Sequence, residues 1–491
     1  MAPPPVNGNS SSPEADDDAV VAASPPPPPA RSEEGVIHYV VRHPWKWVMR
    51  KLQESERMTE ADTPSDLPSA KLAAAAAAGD NTVPLNGGTE SVTANTPTTP
   101  ASRRRRQKIR DKLNVPATLR IEVVNPKTGA LELAIHGTSS AFDGLEDKDE
   151  LLRTIQRCRV EELGLSPPSI LINWDVTREE CLNVIGKGLP KLKTNQNDEI
   201  IAVLKEPMGS QGRGIFFVKD AEEIHKIISE HRQRALDEPH FLDNLIERKG
   251  RIPSWGKYSS RFSLRSKCNM FSVNKFLTHT ATSTLGAFSV LQAEVIPALL
   301  IENRKFHIRS YLLVTEQPNL EGWLEMFIYN RHEVRIAGVP VKENDSERDP
   351  LAHITNGALS NTTERRLIEQ VPQLKDSGFQ DKLETFIAET FGKHLLPDIS
   401  RRVGYSLNQN SDSKIKQFAI AGLDLMVTAE GRIFLLEANV NPAAPPASMV
   451  NDDFLGHLTG FMQDLLNLVM GKPAPNFLSV EDILTQKGLL S

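Results

Sequence analysis

The sequence predicts a mixed α/β protein, of the α+β kind, that follows a long N-terminal extension without regular structure. Apolar residues make up 39% of the 491 residues, below the ~45–50% of globular proteins, and proline (34) outnumbers glycine (29). Prolines crowd residues 1–30, and residues 60–102 are rich in Ala, Thr, Ser and Pro. From about Leu119 to Met470, strand-like alternation and helical spacing follow each other. We therefore predict that residues 1–115 are mostly disordered and that the remainder folds.

The folded part is predicted to contain a small N-terminal α/β domain over 116–195, a larger domain over 196–475 and a C-terminal tail over 476–491. The first elements are a hairpin of Leu119–Val124 and Leu131–Ile135 around Asn125–Gly129, a helix from Asp147 to about Leu163, a strand at Ser169–Asn173 and a helix at Thr177–Ile185. Strands and helices then continue to an amphipathic closing helix over 454–470, which we expect to pack in the core.

Two segments interrupt the extension. Val36–Met58 carries two of the five tryptophans of the chain together with several basic residues. It is interpreted as a short amphipathic piece that docks on the core, with a recruitment peptide for a partner as the alternative. The block 103–110 (RRRRQKIR) is interpreted as a solvated linker. A nuclear signal and an anchor for an acidic polymer remain its alternatives.

Composition excludes several classes of protein. Lys+Arg is 57 against Asp+Glu 63, and this balance argues against a nucleic-acid binder with a globally basic surface. The three cysteines have no metal-ligand spacing, and reduced cytosolic thiols are expected. No apolar run is long enough to predict a membrane span, and we expect no secretory signal. The expected location is the cytoplasm, with the nucleus as an alternative through the basic block.

The first stretch with chemical content is Ile200–Lys219, where a strand ends at Lys205 and a second strand begins at Ile215. Between them, glycines surround a short polar loop. Such a loop can close over phosphates with its backbone N–H groups, and a lysine entering it supplies the counter-charge. The pattern matches neither a Walker loop nor a Rossmann turn. From these residues alone, an ordinary loop and a phosphate lid both stay open.

The second stretch is Leu291–Val314. If Lys305–Leu313 is a strand, alternation puts Lys305, His307, Arg309 and Tyr311 on one face. Cations in a row beside a buried face suit a triphosphate or a carboxylate. The alternative is a half-exposed strand with a solvated basic face.

The third stretch, Gln417–Asn441, has the most specific pattern. A two-residue turn at Glu430-Gly431 places Asp424 opposite Glu437, with Asn439 on the same face. Like charges at directly opposed positions are destabilising unless a cation lies between them. Carboxylate and amide oxygens are suitable ligands for Mg²⁺. The hairpin therefore predicts a metal site, which a slip of register would remove.

Together these stretches resemble the tubulin–tyrosine ligase-like family, which has an ATP-grasp fold. The resemblance covers about residues 195–470 and is carried, in order, by Lys205 and the segments 210–215 (SQGRGI), 304–309 (RKFHIR), 353–356 (HITN) and 436–439 (LEAN). It implies an ATP-grasp-like core and an ATP- and Mg²⁺-dependent ligase that joins an amino acid to a protein carboxylate through an acyl phosphate. It implies tubulin or microtubule C-terminal tails and a free amino acid (tyrosine, glutamate or glycine) as partners, and a cytoskeletal association.

The resemblance also implies roles for particular residues. Arg309 and Arg335 are the expected catalytic arginines, which hold carboxylates of the acceptor or of the incoming acid. Asp424, Glu437 and Asn439 are the expected Mg²⁺ ligands. The expected ATP contacts are Lys205, the lid residues Ser210, Gln211, Gly212 and Gly214, the adenine segment from Gln292 to Val295, and Lys305, His307, Thr355 and Asn356.

The chain departs from the family pattern at two of these positions. His307 stands where the family usually has aspartate, and Ala293 stands where a basic residue often follows the glutamine. The region before residue 195 does not closely resemble the N-terminal domain of the family. Since the expected lysines and metal ligands are all present, we expect an active ligase. An ATP-grasp ligase for another substrate and a catalytically weak nucleotide- or tubulin-binding module are the alternatives.

Overall fold

The computed structural model describes the following residues: 36–41, 45–53, 58–60, 119–124, 131–137, 142, 145, 147–159, 163–174, 176–192, 202–206, 214–237, 288–316, 324–342, 349–355, 362–375, 378–395, 415–445 and 447–490. The predictions for residues 1–35, the basic block 103–110, the lid residues Ser210, Gln211 and Gly212, and Asn356 lie outside these ranges.

Within the described residues, eleven strands form the larger sheet. The strands are β1 Val36–Val41, β2 Met58–Glu60, β3 Leu119–Val124, β4 Leu131–Gly137, β9 Leu300–Ile301, β10 Arg304–Glu316, β11 Leu324–Ile336, β12 Glu364–Leu367, β13 Ile415–Val427, β14 Ile433–Val440 and β15 Phe477–Ser479. Their order is β12-β11-β10-β13-β4-β3-β1-β2, while β14 pairs with β13, β15 with β11 and β9 with β10. Most neighbours are antiparallel, but β1 with β2 and β13 with β4 are parallel.

A smaller, fully antiparallel sheet has the order β5-β8-β6-β7. Its strands are β5 Ser169–Asn173, β6 Ala202–Lys205, β7 Ile215–Val218 and β8 Phe288–Ala293. Two helices, which we number α3 and α4 below, pack on it through a separate apolar core that includes Ile185, Ile224 and Ile228.

The helices are α1 Lys46–Gln53, α2 Lys148–Arg157, α3 Arg178–Leu192, α4 Ala221–Asp237, α5 Pro350–His353, α6 Pro372–Lys375, α7 Phe379–Ile387, α8 Asp452–Val469 and α9 Val480–Gln486. A π-helical segment, Ala388–Leu395, continues α7. The amide N–H of Phe454 donates to Asn451, which caps the start of α8. Among the residues described, none of the helices combines the length and apolarity that a membrane crossing requires.

The two faces of the larger sheet bury different cores. Phe306, Ile308 and Leu312 of β10 point to the face covered by α7 and its π-helical continuation. Tyr311 and Leu313 lie in the other core, which α8 covers. Part of the segment 36–58 joins this second core, because Trp45 is 1% exposed and its indole N–H donates to the carbonyl of Pro442, 2.7 Å away.

The predicted α+β fold class is confirmed, since helices accompany two largely antiparallel sheets, and this architecture is consistent with an ATP-grasp-like core. The strands predicted at Ser169–Asn173 and Leu119–Val124 have those bounds. The helix predicted to reach Leu163 ends at Arg157 instead, and Arg159 has a positive φ of 57°. That left-handed conformation ends a helix, and local spacing does not reveal it.

The boundary near residue 195 stays a prediction. Strands from both sides of it share both sheets, because β4 pairs with β13 in the larger sheet and β5 pairs with β8 in the smaller.

Candidate active site between the two sheets

A cleft lies between the two sheets and contains most of the predicted site residues that the structure describes. Its empty space is about 900 Å³, which includes open solvent at its mouth. Its apolar lining is Val203, Ile215, Phe217, Ala293, Val295, Ile354, Met426 and Leu436. Its polar lining is Lys148, Lys205, Gln292, Glu294, Lys305, His307, His353, Thr355, Asp424 and Glu437. The lining therefore combines apolar side chains that suit a flat ring with charged side chains that suit a highly charged group.

Asp424 and Glu437 lie directly opposite each other on β13 and β14, as predicted. The predicted turn is wrong, however. The amide N–H of Thr428 donates to the carbonyl of Arg432, which leaves a three-residue loop rather than a two-residue turn. A β-bulge between Asp424 and Leu425 then shifts the register by one residue, which restores the predicted pairing of Asp424 with Glu437. Two departures from the expected hairpin thus cancel at the carboxylate pair.

Asn439 shares the face of this pair, and its side-chain amide donates to Asp424 Oδ2 at 3.0 Å. Two carboxylates and one amide oxygen form a donor set that fits Mg²⁺, whose remaining positions are commonly filled by water and phosphate. Among the residues described, no group of three or more His, Cys, Asp or Glu side chains forms a metal site. A cation at this position therefore depends on Asn439 and on non-protein ligands.

Arg309 binds Asp424 through both ends of its guanidinium group, Nε to Oδ1 at 2.5 Å and NH2 to Oδ2 at 3.0 Å. Burial works to raise the pKa of Asp424, but Arg309 and His307 outweigh burial and hold that pKa well below its usual value. Gly422 leaves room for this contact, since a Cβ there would lie 3.0 Å from Arg309 Cδ. Arg309, expected on a substrate carboxylate, thus pairs with a carboxylate of its own chain.

His307 is 7% exposed and bonds through Nδ1 to the hydroxyl of Thr355. Its Nε2 lies 3.4 Å from Asp424 Oδ1. Burial is the main reason why the pKa of His307 is lowered, which favours the neutral ring. The predicted alternative of a solvated basic face on β10 is wrong, since Lys305, His307 and Arg309 are all buried.

The lysines reach the cleft from three elements. Lys205, at the end of β6, donates to Gln292 Oε1 at 2.6 Å, and Gln292 in turn bonds to Ser169. Lys305 contacts Glu294 and lies 2.8 Å from His353 Nδ1. Burial lowers the pKa of Lys205 to about 8, although Glu437 and Asp424 oppose this effect.

Sequence reasoning missed Lys148. It begins α2, and its Nζ lies 3.7 Å from Glu437 Oε2. The only sequence signal is its position in the first turn of a helix, where no glycine loop or motif marks it. Glu294 and His353 were inside recognised segments but had no predicted role. Gly214, at the end of the lid, has a φ of 73° that favours glycine, and it accepts from the amide of Glu206 at 2.7 Å.

Arg335 lies next to this site rather than in the cleft lining. It binds Glu333 through Nε at 3.1 Å and NH2 at 2.8 Å. Tyr311 donates its hydroxyl proton to the other oxygen of Glu333 at 2.6 Å. Because His307 and Arg335 are directly paired on β10 and β11, the arginine is a cross-strand neighbour of the cleft.

Comparison with known proteins finds a family match for part of the chain. Residues 290–475 match the model of the tubulin-tyrosine ligase family. The match confirms the predicted resemblance to that family over this segment. The family segment contains Lys305, His307, Arg309, Arg335 and the three proposed metal ligands, while Lys148 and Lys205 precede it.

Three curated relatives share part of the chain. Tubulin glycylase 3D of Tetrahymena thermophila is 26% identical over 162 residues, and tubulin glycylase 3C of the same organism is 25% identical over 173 residues. These matches cover 31% and 33% of this chain but only 15% and 16% of the glycylases. A probable tubulin–tyrosine ligase of Schizosaccharomyces pombe is 22% identical over 243 residues, covering 49% of this chain and 51% of the relative. Each match therefore covers about half of the relative or less.

Proposed function

We propose that this protein is an ATP- and Mg²⁺-dependent ligase that joins the amine of a free amino acid to a carboxylate of the tubulin C-terminal tail. The observation that carries the proposal is the pair Asp424–Glu437, opposed across two strands in a cleft that also contains three lysines. Opposed carboxylates suit a cation, and clustered lysines suit phosphates. The match of residues 290–475 to the tubulin-tyrosine ligase family model supports a ligase, and the names of the relatives favour tubulin.

In this proposal, Asp424, Glu437 and Asn439 hold Mg²⁺, while Lys148, Lys205 and Lys305 neutralise the phosphates of ATP. When bound, Mg²⁺-ATP supplies the phosphoryl group that activates a carboxylate for attack by the amine, and phosphate then leaves. The apolar side chains of the lining accept the adenine. Arg309 and Arg335 orient carboxylates in the geometry that a guanidinium fork provides and an ammonium does not. Catalysis then rests on positioning and on charge stabilisation.

The test is mass spectrometry of tubulin tails after incubation with the full-length protein, Mg²⁺-ATP and isotope-labelled tyrosine, glutamate and glycine. We expect a mass addition that identifies the amino acid. Glu437→Gln should reduce the rate by about 100-fold or more, because one charged oxygen ligand is lost. Glu430→Gln is the matched control, since Glu430 lies exposed at the tip of the same hairpin and should leave the rate unchanged.

Other results would redirect the proposal. ATP turnover without any addition to tubulin would favour an ATP-grasp ligase with another acceptor. If no amino acid is added and no ATP is turned over, the protein is better explained as a nucleotide- or tubulin-binding module. His307→Asp is then the first variant to test for a gain of activity. Equal rates for Glu437→Gln and the parent protein would exclude the metal assignment. A tubulin substrate would also support the proposed cytoplasmic, microtubule-associated location.

A further inference from the structure

Two arginines lie side by side at the end of the charged face. Arg335 of β11 and Arg365 of β12 are directly opposite each other in the antiparallel pairing. Arg335 is 6% exposed, and the side chain of Arg365 is 12% exposed. Like charges at such positions are destabilising, and more so when both are removed from water. A negatively charged group beside the pair would therefore offset the repulsion between the two arginines.

One carboxylate, Glu333, lies against this pair, and it is already engaged. One of its oxygens accepts two hydrogen bonds from Arg335, and the other accepts the hydroxyl of Tyr311. Arg365 NH1 lies 3.6 Å from Glu333 Oε2, too far for a hydrogen bond. Among the residues described, this buried NH1 has no hydrogen-bond partner at all. One nitrogen of the Arg365 guanidinium group is thus left without a hydrogen bond.

The other neighbouring acidic side chains do not neutralise Arg365. Glu364 pairs with Arg304 and Arg366, while Glu369 pairs with Arg331. Burial is the main cause, and the adjacent Arg335 the second, of a lowered pKa of Arg365, to about 10. The local charge therefore has an excess of cations that the described side chains do not balance.

Position connects this excess with the cleft. Glu333, Arg309, Asp424 and Glu437 are successive cross-strand neighbours in one row across β11, β10, β13 and β14. Arg365 and Arg335 stand in the next row, beside His307. One end of this face therefore opposes two carboxylates, and the other opposes two arginines. The first arrangement suits a cation, and by the same argument the second suits an anion.

We propose that Arg365, together with Arg335, forms a binding site for a substrate carboxylate. This deepens the proposed function, on which it rests, by assigning a specificity residue that neither the sequence motifs nor the resemblance contains. The carboxylate belongs either to the incoming amino acid or to the acidic acceptor, and planar two-point binding by guanidinium groups suits both.

The test uses the full-length protein and three variants. Arg365→Gln removes the charge, and Arg365→Lys keeps it without the fork. Arg366→Gln is the matched control, because Arg366 points to the opposite face and pairs with Glu302 and Glu364. The readouts are kcat, the separate KM values for ATP, amino acid and acceptor peptide, and the thermal unfolding midpoint. Titration calorimetry adds the binding of glycine, glutamate, tyrosine and their carboxamides in the presence of a non-hydrolysable ATP analogue.

We expect Arg365→Gln to raise one carboxylate KM by about 10- to 100-fold, the usual effect of losing a charged hydrogen bond, with the KM for ATP unchanged. A change in the KM for the amino acid, with loss of the preference for acid over carboxamide, assigns the site to the incoming amino acid. A change in the KM for the acceptor assigns it to the acceptor. Arg365→Lys should recover only part of the effect.

Two results would overturn the assignment. One is unchanged KM values and unchanged acid preference in Arg365→Gln. The other is a lowered unfolding midpoint with all KM values altered together and full recovery by Arg365→Lys, which indicates a structural role. If no ligation occurs with any amino acid, the proposed function fails separately. Calorimetric titration with glutamate then tests whether Arg365 binds a carboxylate. Weaker binding by Arg365→Gln than by the parent protein supports the site, and equal binding, or no binding, by both proteins rejects it.

Discussion

At the scale of single residues, the site is a set of competing charges. Arg309 bonds to both oxygens of Asp424, so a divalent cation at Asp424 competes with Arg309 for the same atoms. Removing one partner of such a buried pair leaves an uncompensated charge, which costs several kcal/mol. The cation would relieve the repulsion from Glu437 and release the guanidinium for a substrate carboxylate. Under the proposed function, the pair would therefore link metal binding to substrate binding through the side chain of Arg309.

Lys205 leads to a prediction about pH. Burial lowers its pKa to about 8, and the charged groups that influence it are Lys148, Glu437 and Asp424. Phosphate favours the protonated lysine, so the affinity for an ATP analogue should fall as pH rises through 8, by up to about tenfold per unit. Calorimetry at pH 6.5–9.5 in two buffers should also detect proton uptake on binding above pH 8. Lys205→Arg stays charged throughout this range, and an unchanged pH slope in that variant would contradict the prediction.

Gly422 leads to a prediction about packing. A methyl group there would meet Arg309 and Pro442 at 3.0 Å, so Gly422→Ala should lower the free energy of unfolding by about 1–3 kcal/mol. Gly456, exposed on α8 with open space around it, is the control. Gly456→Ala should stabilise by about 0.5–1 kcal/mol, because alanine is the better helix former. Urea unfolding measures the free energy of unfolding of both variants. Equal changes at Gly422 and Gly456 would refute the close packing at Gly422.

At the scale of elements, the segment 45–53 contributes to the core. Val48 and Met49 of α1 are fully buried with Trp45 in the core under α8. The indole ring lies 5.5 Å from the ring of Phe461. Trp45 also holds the carbonyl of Pro442, three residues beyond Asn439. An N-terminal element thus supports the strand end that carries a proposed metal ligand.

This docking leads to a graded prediction. Trp45→Ala should lower the free energy of unfolding by about 3–5 kcal/mol, because it leaves a large cavity. Trp45→Phe should cost about 1 kcal/mol, since it mainly loses the hydrogen bond to Pro442. Denaturant unfolding of the full-length variants measures both. If Trp45→Ala is as stable as the parent protein, the segment does not dock in solution and the recruitment-peptide alternative gains support.

At the scale of the whole molecule, the cleft draws its lining from both sheets, so a ligand that fills it should stabilise them together. An ATP analogue at 100 times its Kd should add about 2.7 kcal/mol to the free energy of unfolding. We expect the thermal midpoint to rise by several degrees with Mg²⁺ present and by less without it. Asp424→Asn should remove the Mg²⁺-dependent part. A shift that is the same with and without Mg²⁺ would contradict the metal assignment.

The sequence by itself determined several elements, among them the strands Leu119–Val124 and Ser169–Asn173, and the hairpin that opposes Asp424 to Glu437. It could do so because strand alternation and hairpin pairing depend on neighbours within about twenty residues. The same locality explains why the loop between them was predicted wrongly, since a compensating bulge leaves no distinct pattern.

Only the tertiary structure decided which distant side chains meet. Arg309 faces Asp424, 115 positions away, because β10 and β13 are paired in one register. Lys148 reaches Glu437 from a helix, and Arg365 meets Arg335 through an edge strand. These contacts depend on the order of the strands and on which side chains are buried. Many different strand orders are compatible with the same local sequence patterns. The reason is physical: a register between distant strands is selected by the packing of the whole core, and no short stretch of sequence contains that information.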